Sequence, residues 1–220
     1  NRIELGQIRA GLVVSCESAR EIVEVTLDRL LRHPSMPLFS RSLATFTGGS
    51  GAAAVLLTDG SFGAGAGRLL AGAARSAPRP HLLCRWGGER AGEDSSPGVW
   101  RPFMETDAAA VLEHGLSLAE DTWTDFLDAT GWQLPEIDCT VAHQVGARHR
   151  EAVLQRFGLD PRRDVRTFDF LGNTGSVAVP LALALAREQG RLRPGHRLGL
   201  FGIGSGLNCL MLGCEWQESA

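Results

Sequence analysis

No lysine occurs anywhere in the 220 residues, so all 22 basic side chains are arginines, and tyrosine is absent as well. Without an ε-amine there is no Schiff-base or pyridoxal chemistry, and the phosphate-cradling pattern G-x-x-x-x-G-K-[ST] cannot be written. Without a phenol there is no tyrosine acid and no tyrosine phosphosite. The bias itself reads as the signature of a GC-rich genome. A net charge of −3 gives no electrostatic footprint for nucleic acid or an anionic membrane, although arginine clusters can still grip a phosphorylated ligand. No apolar run is long enough to cross a bilayer, and no charged segment followed by an apolar one opens the chain, so a soluble, cytoplasmic protein is expected. The five cysteines, Cys16, Cys84, Cys139, Cys209 and Cys214, are odd in number and lack C-x-x-C spacing. They read as reduced thiols used mostly as small core hydrophobes.

With 44% hydrophobic residues, a chain of this length suits one compact domain or two tightly fused halves, burying about 70% of its unfolded surface. Short apolar runs between turn signals predict strands at 11–16, 52–58, 137–142, 197–202 and 207–214, each covered on both faces. Helices are expected at 19–32, 107–129, 146–157 and 174–189. The clearest is 107–129, where Leu112, Leu116, Ala119, Trp123 and Phe126 share one face while Glu113, Glu120, Asp121 and Asp128 take the other. Residues 1–6 read as a helix tail stopped by Gly6. The stretch 75–105 holds four of the ten prolines and reads as an elaborated loop or lid.

Self-comparison finds two matched pairs in the same order. Residues 4–11 (ELGQIRAG) parallel 188–195 (EQGRLRPG), and Gly49-Ser50-Gly51 parallels Gly204-Ser205-Gly206; each leads into an apolar strand. A duplicated α/β unit follows. The expected division is 1–60 for the remainder of an N-terminal half, 61–106 for a connecting loop or lid, and 107–220 for a complete C-terminal half. The offset between the pairs places the counterpart of Gly172-Asn173-Thr174 ahead of residue 1, so the first half is expected to be truncated at its N-terminus.

Three motifs lie on the second half: Ala142-His143-Gln144 at a strand end, Gly172-Asn173-Thr174-Gly175 opening a helix, and Gly202-Ile203-Gly204-Ser205-Gly206-Leu207-Asn208 between two strands. Open α/β sheets put ligands on such a rim. The run Gly63-Ala64-Gly65-Ala66-Gly67 resembles a dinucleotide fingerprint only faintly, since no helix and no distant acid follow it, and it reads as a turn. Taken alone, His143 would be a satisfied polar residue and Asn173 a helix cap. His149, six residues beyond His143, does not share its helical face, so no metal pair is expected. His33, His81, His114 and His196 read as surface or loop residues, and Arg148, Arg150, Arg156, Arg162 and Arg163 mostly as a solvated face. A contact of those arginines with CoA phosphates or a carrier protein is the minority reading.

H-Q, then G-N-T-G, then G-x-G-S-G-L-N is a pattern similar to the thiolase superfamily, in particular to ketoacyl-carrier-protein synthase III-type condensing enzymes. Over essentially the whole chain, and most closely in the ending GIGSGLNCLMLGCEW, it resembles the long-chain olefin and β-lactone branch. The resemblance implies a five-layered α-β-α-β-α fold of two pseudo-repeated halves and a Cys–His–Asn site. In that site His143 and Asn173 would donate to the thioester carbonyl of the second substrate, stabilising the enolate. Backbone N–H groups of Gly204, Ser205 and Gly206 would form a second oxyanion hole. The nucleophilic Cys would sit at a helix start that the repeat places upstream of Asn1; Cys16 is a poor substitute. Pro180, awkward in a helix, has a family counterpart, which implies a kink. The absence of Lys excludes the related Cys–His–His synthases that the resemblance pairs with a lysine.

The function so implied is Claisen condensation of two acyl-CoA molecules, without decarboxylation, to a β-ketoacyl product through an acyl-Cys intermediate. One alternative is a decarboxylating synthase III using malonyl-carrier protein; another, of a different class, is a non-catalytic partner subunit of a condensing-enzyme dimer. No bound cofactor or metal is expected. CoA or acyl-carrier-protein thioesters are the expected substrates, and a homo- or heterodimer with a related chain is the expected assembly.

Overall fold

A computed structural model describes residues 1–63, 67–90 and 100–217. The strands are β1 (Ala10–Glu17), β2 (Gly51–Thr58), β3 (Gly67–Ser76), β4 (Cys84–Arg90), β5 (Trp100–Thr106), β6 (Cys139–Ala142), β7 (Arg197–Gly204) and β8 (Asn208–Trp216). The helices are α1 (Arg20–Arg32), α2 (Met36–Phe46), α3 (Ala108–Thr130), α4 (Ala147–Phe157), α5 (Phe168–Leu171) and α6 (Ala178–Glu188). Helix ends follow local chemistry. The Asp107 carboxylate accepts from the Ala110 N–H at 3.0 Å to open α3, and Gly131, at φ +67°, closes it in a conformation that side chains resist. Ser35 caps α2, with Pro37 in its first turn.

Four strands form the main sheet in the order β3-β8-β7-β6, with β6 parallel to β7 and the other pairs antiparallel. Helix α3 covers β3 and β8, and α4 packs beside it. Between them lie Leu118, Phe126, Trp132, Leu154, Phe157, Phe201 and Met211, all buried. Phe126 is wholly enclosed, and burying a ring of that size stabilises the fold by about 2–3 kcal/mol. On the opposite face α6 lays Ala182 and Ala186 against Val141, Val165 and Leu198. These small alanines let the helix sit close to the sheet. Helix α6 also packs against β2, so it is sandwiched between the main sheet and the β1–β2 ribbon. Helices α1 and α2 pack on each other and on β5 of the β4–β5 hairpin.

The internal repeat has a structural counterpart. Gly6 and Gly190, matched in sequence, turn the chain at φ +66° and +65° before β1 and β7, and β2 and β8 each return antiparallel to those strands. Several expectations change. The stretch 75–105, read as loop, contains the end of β3 and the hairpin β4–β5, and β3 is a full member of the main sheet. Its residues 91–99, like 64–66 of the glycine-alanine run, lie outside the described residues. The helix expected at 174–189 begins instead with a 3₁₀ turn at Gly175–Val177, and α6 proper starts at Ala178. Pro180 is therefore in the first turn of α6, where N–H groups have no intrahelical acceptor, and no kink is required. Helix α2 was not anticipated. Finally, the ribbon strands are not covered on both faces: Leu12, Val13, Val14 and Leu56 are 57–66% exposed, because among the described residues α6 and the 175–177 turn are what packs on this ribbon.

Candidate functional site

His143 follows the last residue of β6, and its N–H donates to the Phe201 carbonyl at 2.7 Å, which extends the β6–β7 pairing by one residue and fixes the backbone. Its neighbour Gln144 is 2% exposed and turns inward. The Gln144 amide donates through Nε2 to the Val165 carbonyl at 2.5 Å, and Oε1 accepts from the N–H groups of Thr167 and Phe168 at 2.9 and 3.0 Å. One side chain thus satisfies three backbone groups and ties the His143 segment to the segment leading into α5 and Asn173.

Asn173 is held by its backbone from the other half of the molecule. Its N–H donates to the Thr47 carbonyl at 2.8 Å, and its carbonyl accepts from the Gly49 N–H at 2.7 Å. Gly49 has no room for a side chain: a Cβ there would lie 1.9 Å from the Leu171 carbonyl oxygen. The Asn173 side chain accepts through Oδ1 from the Gly175 N–H at 3.0 Å, which leaves Nδ2 as the donor end of the amide. His143 in turn hydrogen-bonds the Gly175 backbone. Gly175 therefore bonds both residues and places His143 and Asn173 at one turn.

The turn that carries Gly175 is clamped by Glu17 at the end of β1. Its Oε1 accepts from the Ser176 N–H at 3.0 Å and from the Ser176 hydroxyl at 2.6 Å, and Ser15 lies 2.5 Å from the same hydroxyl. Burial, and next the nearby His149, push the His143 imidazole down to about 4, against the opposing effects of the Gly175 bond and Glu17. His143 is therefore neutral at pH 7 and brings no fixed charge, and its one ring N–H is the group that bonds the Gly175 backbone.

His143 lines a cavity of about 30 Å³ together with His149, and otherwise with mainly apolar residues of α3, α4, β7 and β8, including Leu116, Phe157, Ile203 and Met211. The β7–β8 turn borders it through Gly202 and Ile203, but Gly204, Ser205 and Gly206 are outside its lining. That turn is anchored independently. Asn208 donates to the Ser205 carbonyl at 3.0 Å and accepts from the Ser76 hydroxyl at 2.7 Å, and Leu207 and Ala77 exchange two backbone bonds at 2.8 Å.

Sequence reasoning missed three contributors. His149 was set aside because six residues do not share a helical face, yet His143 precedes α4, so helical spacing never applied. Glu17 acts across 159 positions and carries no local signal, and the repeated G-S-G string that contains Gly49 says nothing of its bond to Asn173, 124 positions away. Of the arginine run, Arg148, Arg156, Arg162 and Arg163 are exposed, as a solvated face should be, although Arg163 donates to the Pro135 and Ile137 carbonyls and Arg156 and Arg162 pair with Glu120 and Asp160; Arg150, which bonds Asp164 at 2.6 Å, is half-buried. Burial raises the thiols of Cys139 and Cys214 to about 11 and that of Cys209 above its ordinary range, which makes them poor nucleophiles. Cys16 is exposed. Among the described residues no group of three or more His, Cys, Asp or Glu is placed to hold a metal ion, and no helix is long and apolar enough to cross a membrane.

Residues 127–216 match the family described as 3-oxoacyl-[acyl-carrier-protein] synthase III C terminal. The chain is similar to an acyl-CoA:acyl-CoA alkyltransferase of Shewanella oneidensis, 49% identical over 98% of this chain and 62% of the relative. It is similar at 32% identity to a β-ketoacyl-[acyl-carrier-protein] synthase III of Deinococcus radiodurans, over 96% of this chain and 59% of that one. Among solved structures it superposes on OleA of Xanthomonas campestris with bound lauric acid and lauroyl-CoA, at a TM-score of 0.86 and 36% identity, covering 98% of this chain and 60% of that one. The chain thus spans about 60% of the length of these relatives. The superposition gives this chain the thiolase-like fold, and its residues 127–216 resemble the C-terminal part of the synthase III-type condensing enzymes.

Proposed function

We propose that this chain serves an acyltransferase that joins two acyl-CoA molecules by Claisen condensation, without decarboxylation, to give a β-ketoacyl thioester. The observation that carries the reading is the neutral His143 joined to Asn173 through Gly175, beside an apolar cavity. A carboxamide is an uncharged donor, and the neutral imidazole becomes a second one when its single N–H exchanges the Gly175 backbone for the substrate oxygen. Aimed at one thioester carbonyl, they stabilise the negative charge that develops on its oxygen when the α-carbon becomes nucleophilic, without demanding desolvation of a counter-charge. The acyl group that is attacked is carried on a cysteine as a thioester, and Gly204, Ser205 and Gly206 supply backbone donors to its carbonyl. A general base takes the α-proton, breaking the C–H bond; the resulting enolate carbon attacks the acyl-Cys carbonyl to form the carbon–carbon bond, and collapse of the adduct expels the cysteine thiolate.

The alkyltransferase likeness, at 49% identity, favours acyl-CoA as the second substrate over malonyl-carrier protein, for which the synthase III likeness at 32% speaks less strongly. The enzyme works without a bound cofactor, in the cytoplasm, as a dimer with an identical or related chain. Incubating the full-length protein with lauroyl-CoA and recording its intact mass tests the reading. A covalent acyl adduct, followed by release of a β-ketoacyl product, is expected; absence of any adduct would favour a non-catalytic partner subunit instead.

A further inference from the structure

Among the described residues Asp164 is the one acidic or basic residue that is buried, with its side chain 1% exposed. It meets the arm that carries His143 on both sides. Its Oδ1 accepts from the Thr140 hydroxyl at 3.1 Å, ahead of His143 in the chain, and its Oδ2 accepts from Arg150 Nε at 2.6 Å, beyond it. Between those two contacts, Gln144 donates to the carbonyl of the next residue, Val165. Arg150 also donates through Nη2 to the Pro161 carbonyl at 3.2 Å, and Arg191, beyond α6, donates to the Asp164 carbonyl at 3.1 Å. The 161–165 segment, which leads towards Asn173, is thus fastened to the His143 arm before, beside and after His143, the last of these through a buried ion pair.

Stability alone does not account for that pair. Desolvating two charges costs about as much as their attraction returns, and apolar side chains of similar volume often replace buried pairs without loss. What the pair adds is direction. Helix α4 opens without a side-chain cap, and it packs on α3 through apolar residues, with Phe157 stacked on Trp123, which resists separation but not rotation about the helix axis. A guanidinium held at once by a carboxylate and a carbonyl has a fixed plane. Only residues 143–146 separate β6 from α4, so a turn of α4 is passed to the His143 imidazole. We propose that Arg150 and Asp164 are positioning residues for condensation, whose ion pair fixes the rotation of α4 and thereby aims His143 at the carbonyl that Asn173 also serves. The proposal rests on the condensation reading for the reaction it serves.

Arg150→Met combined with Asp164→Val, made in the full-length protein, removes both charges and leaves apolar side chains in their place. The Tm is expected to stay close to that of the wild type. With lauroyl-CoA, kcat for condensation is expected to fall by about tenfold or more, while KM and formation of the acyl adduct hold. In the nitrogen NMR spectrum of protein labelled at histidine, the ring resonances of His143, assigned by their loss in His143→Asn, are expected to move. A double variant with the wild-type kcat, or with the His143 resonances in place, overturns the proposal, and so does a fall in kcat no larger than the fall in folded protein. Should the double variant not fold, Arg150→Lys decides: it keeps the charge but not the planar fork, and kcat is expected to drop roughly fivefold at an unchanged Tm, whereas a wild-type kcat overturns the proposal. If the wild type forms no condensation product while the double variant still displaces the His143 resonances, the condensation reading fails and the aiming of His143 stands.

Discussion

The N–H of Gly49 donates to the carbonyl of Asn173 at 2.7 Å, so the donor amide of the site is held in place by the half of the molecule that contains neither His143 nor Asn173. The neighbouring Leu171 carbonyl would stand 1.9 Å from any Cβ at position 49. Gly49→Ala must therefore push the Asn173 segment away or lose the bond. Condensation is expected to fall by roughly a hundredfold, because a displacement of about 1 Å costs that much at a positioned group. Product formation by mass spectrometry, with the circular dichroism spectrum retained, checks it; an Ala variant with normal turnover would contradict the clamp.

On the proposed condensation reading, His143→Ala and Asn173→Ala each remove one donor from the same carbonyl. Each is expected to lower condensation by about 10²–10³-fold while leaving the acyl-enzyme adduct intact. Because the two act on one oxygen through the Gly175 link, the double variant should be little worse than either single one. Additive losses would show that the residues work on separate atoms.

The pH dependence of stability follows from His143. The unfolded chain takes up a proton near the ordinary value of about 6.5, whereas the folded protein does so only at about 4. Between those values the unfolded state binds more protons, so this contribution is fully present above about pH 6.5 and is lost as pH falls towards 4. His149 is shifted in the same direction. Urea midpoints measured at pH 7 and pH 5 should fall with acid, and His143→Asn should flatten the slope. Unchanged slopes would mean that His143 titrates normally. For the same reason, condensation should persist at pH 5.5, where an ordinary imidazole would already be protonated.

Gln144 answers three backbone groups with one amide. Gln144→Leu preserves the bulk and strands two N–H donors and one carbonyl in the interior. A loss of about 2–4 kcal/mol in urea denaturation is expected, within the range for buried unsatisfied groups. A change below about 0.5 kcal/mol would show that the 165–168 segment finds other partners.

What the sequence disclosed and what it hid divide along a physical line. Strands β1, β2, β6, β7 and β8 are short apolar runs, and α3 advertises itself by its apolar stripe and by Asp107 and Gly131 at its ends. Strand β3, by contrast, reads GRLLAGAARS, a string of small residues without alternation, because Gly72 must approach the β8 backbone closely. Its place in the sheet depends on β8, more than a hundred positions away, and no local pattern announces such a partner. The same holds at the site. His143 and Asn173 sit in short strings that the chemistry of turns makes conspicuous, whereas Glu17 reaches Ser176 from another layer and His149 matters only because Gly146 turns the chain into α4.

The β1–β2 ribbon links these observations to motion. Leu12, Val13, Val14 and Leu56 of this two-stranded ribbon are exposed. Yet the Glu17 carboxylate at the end of β1 and the Gly49 amide just before β2 are the pegs that hold the 173–177 turn. Any displacement of the ribbon would therefore release Asn173 while the main sheet stayed in place. Whatever lies over the ribbon then sets the fraction of time for which the donor pair exists, and protection of the Asn173 amide against exchange would report that fraction directly.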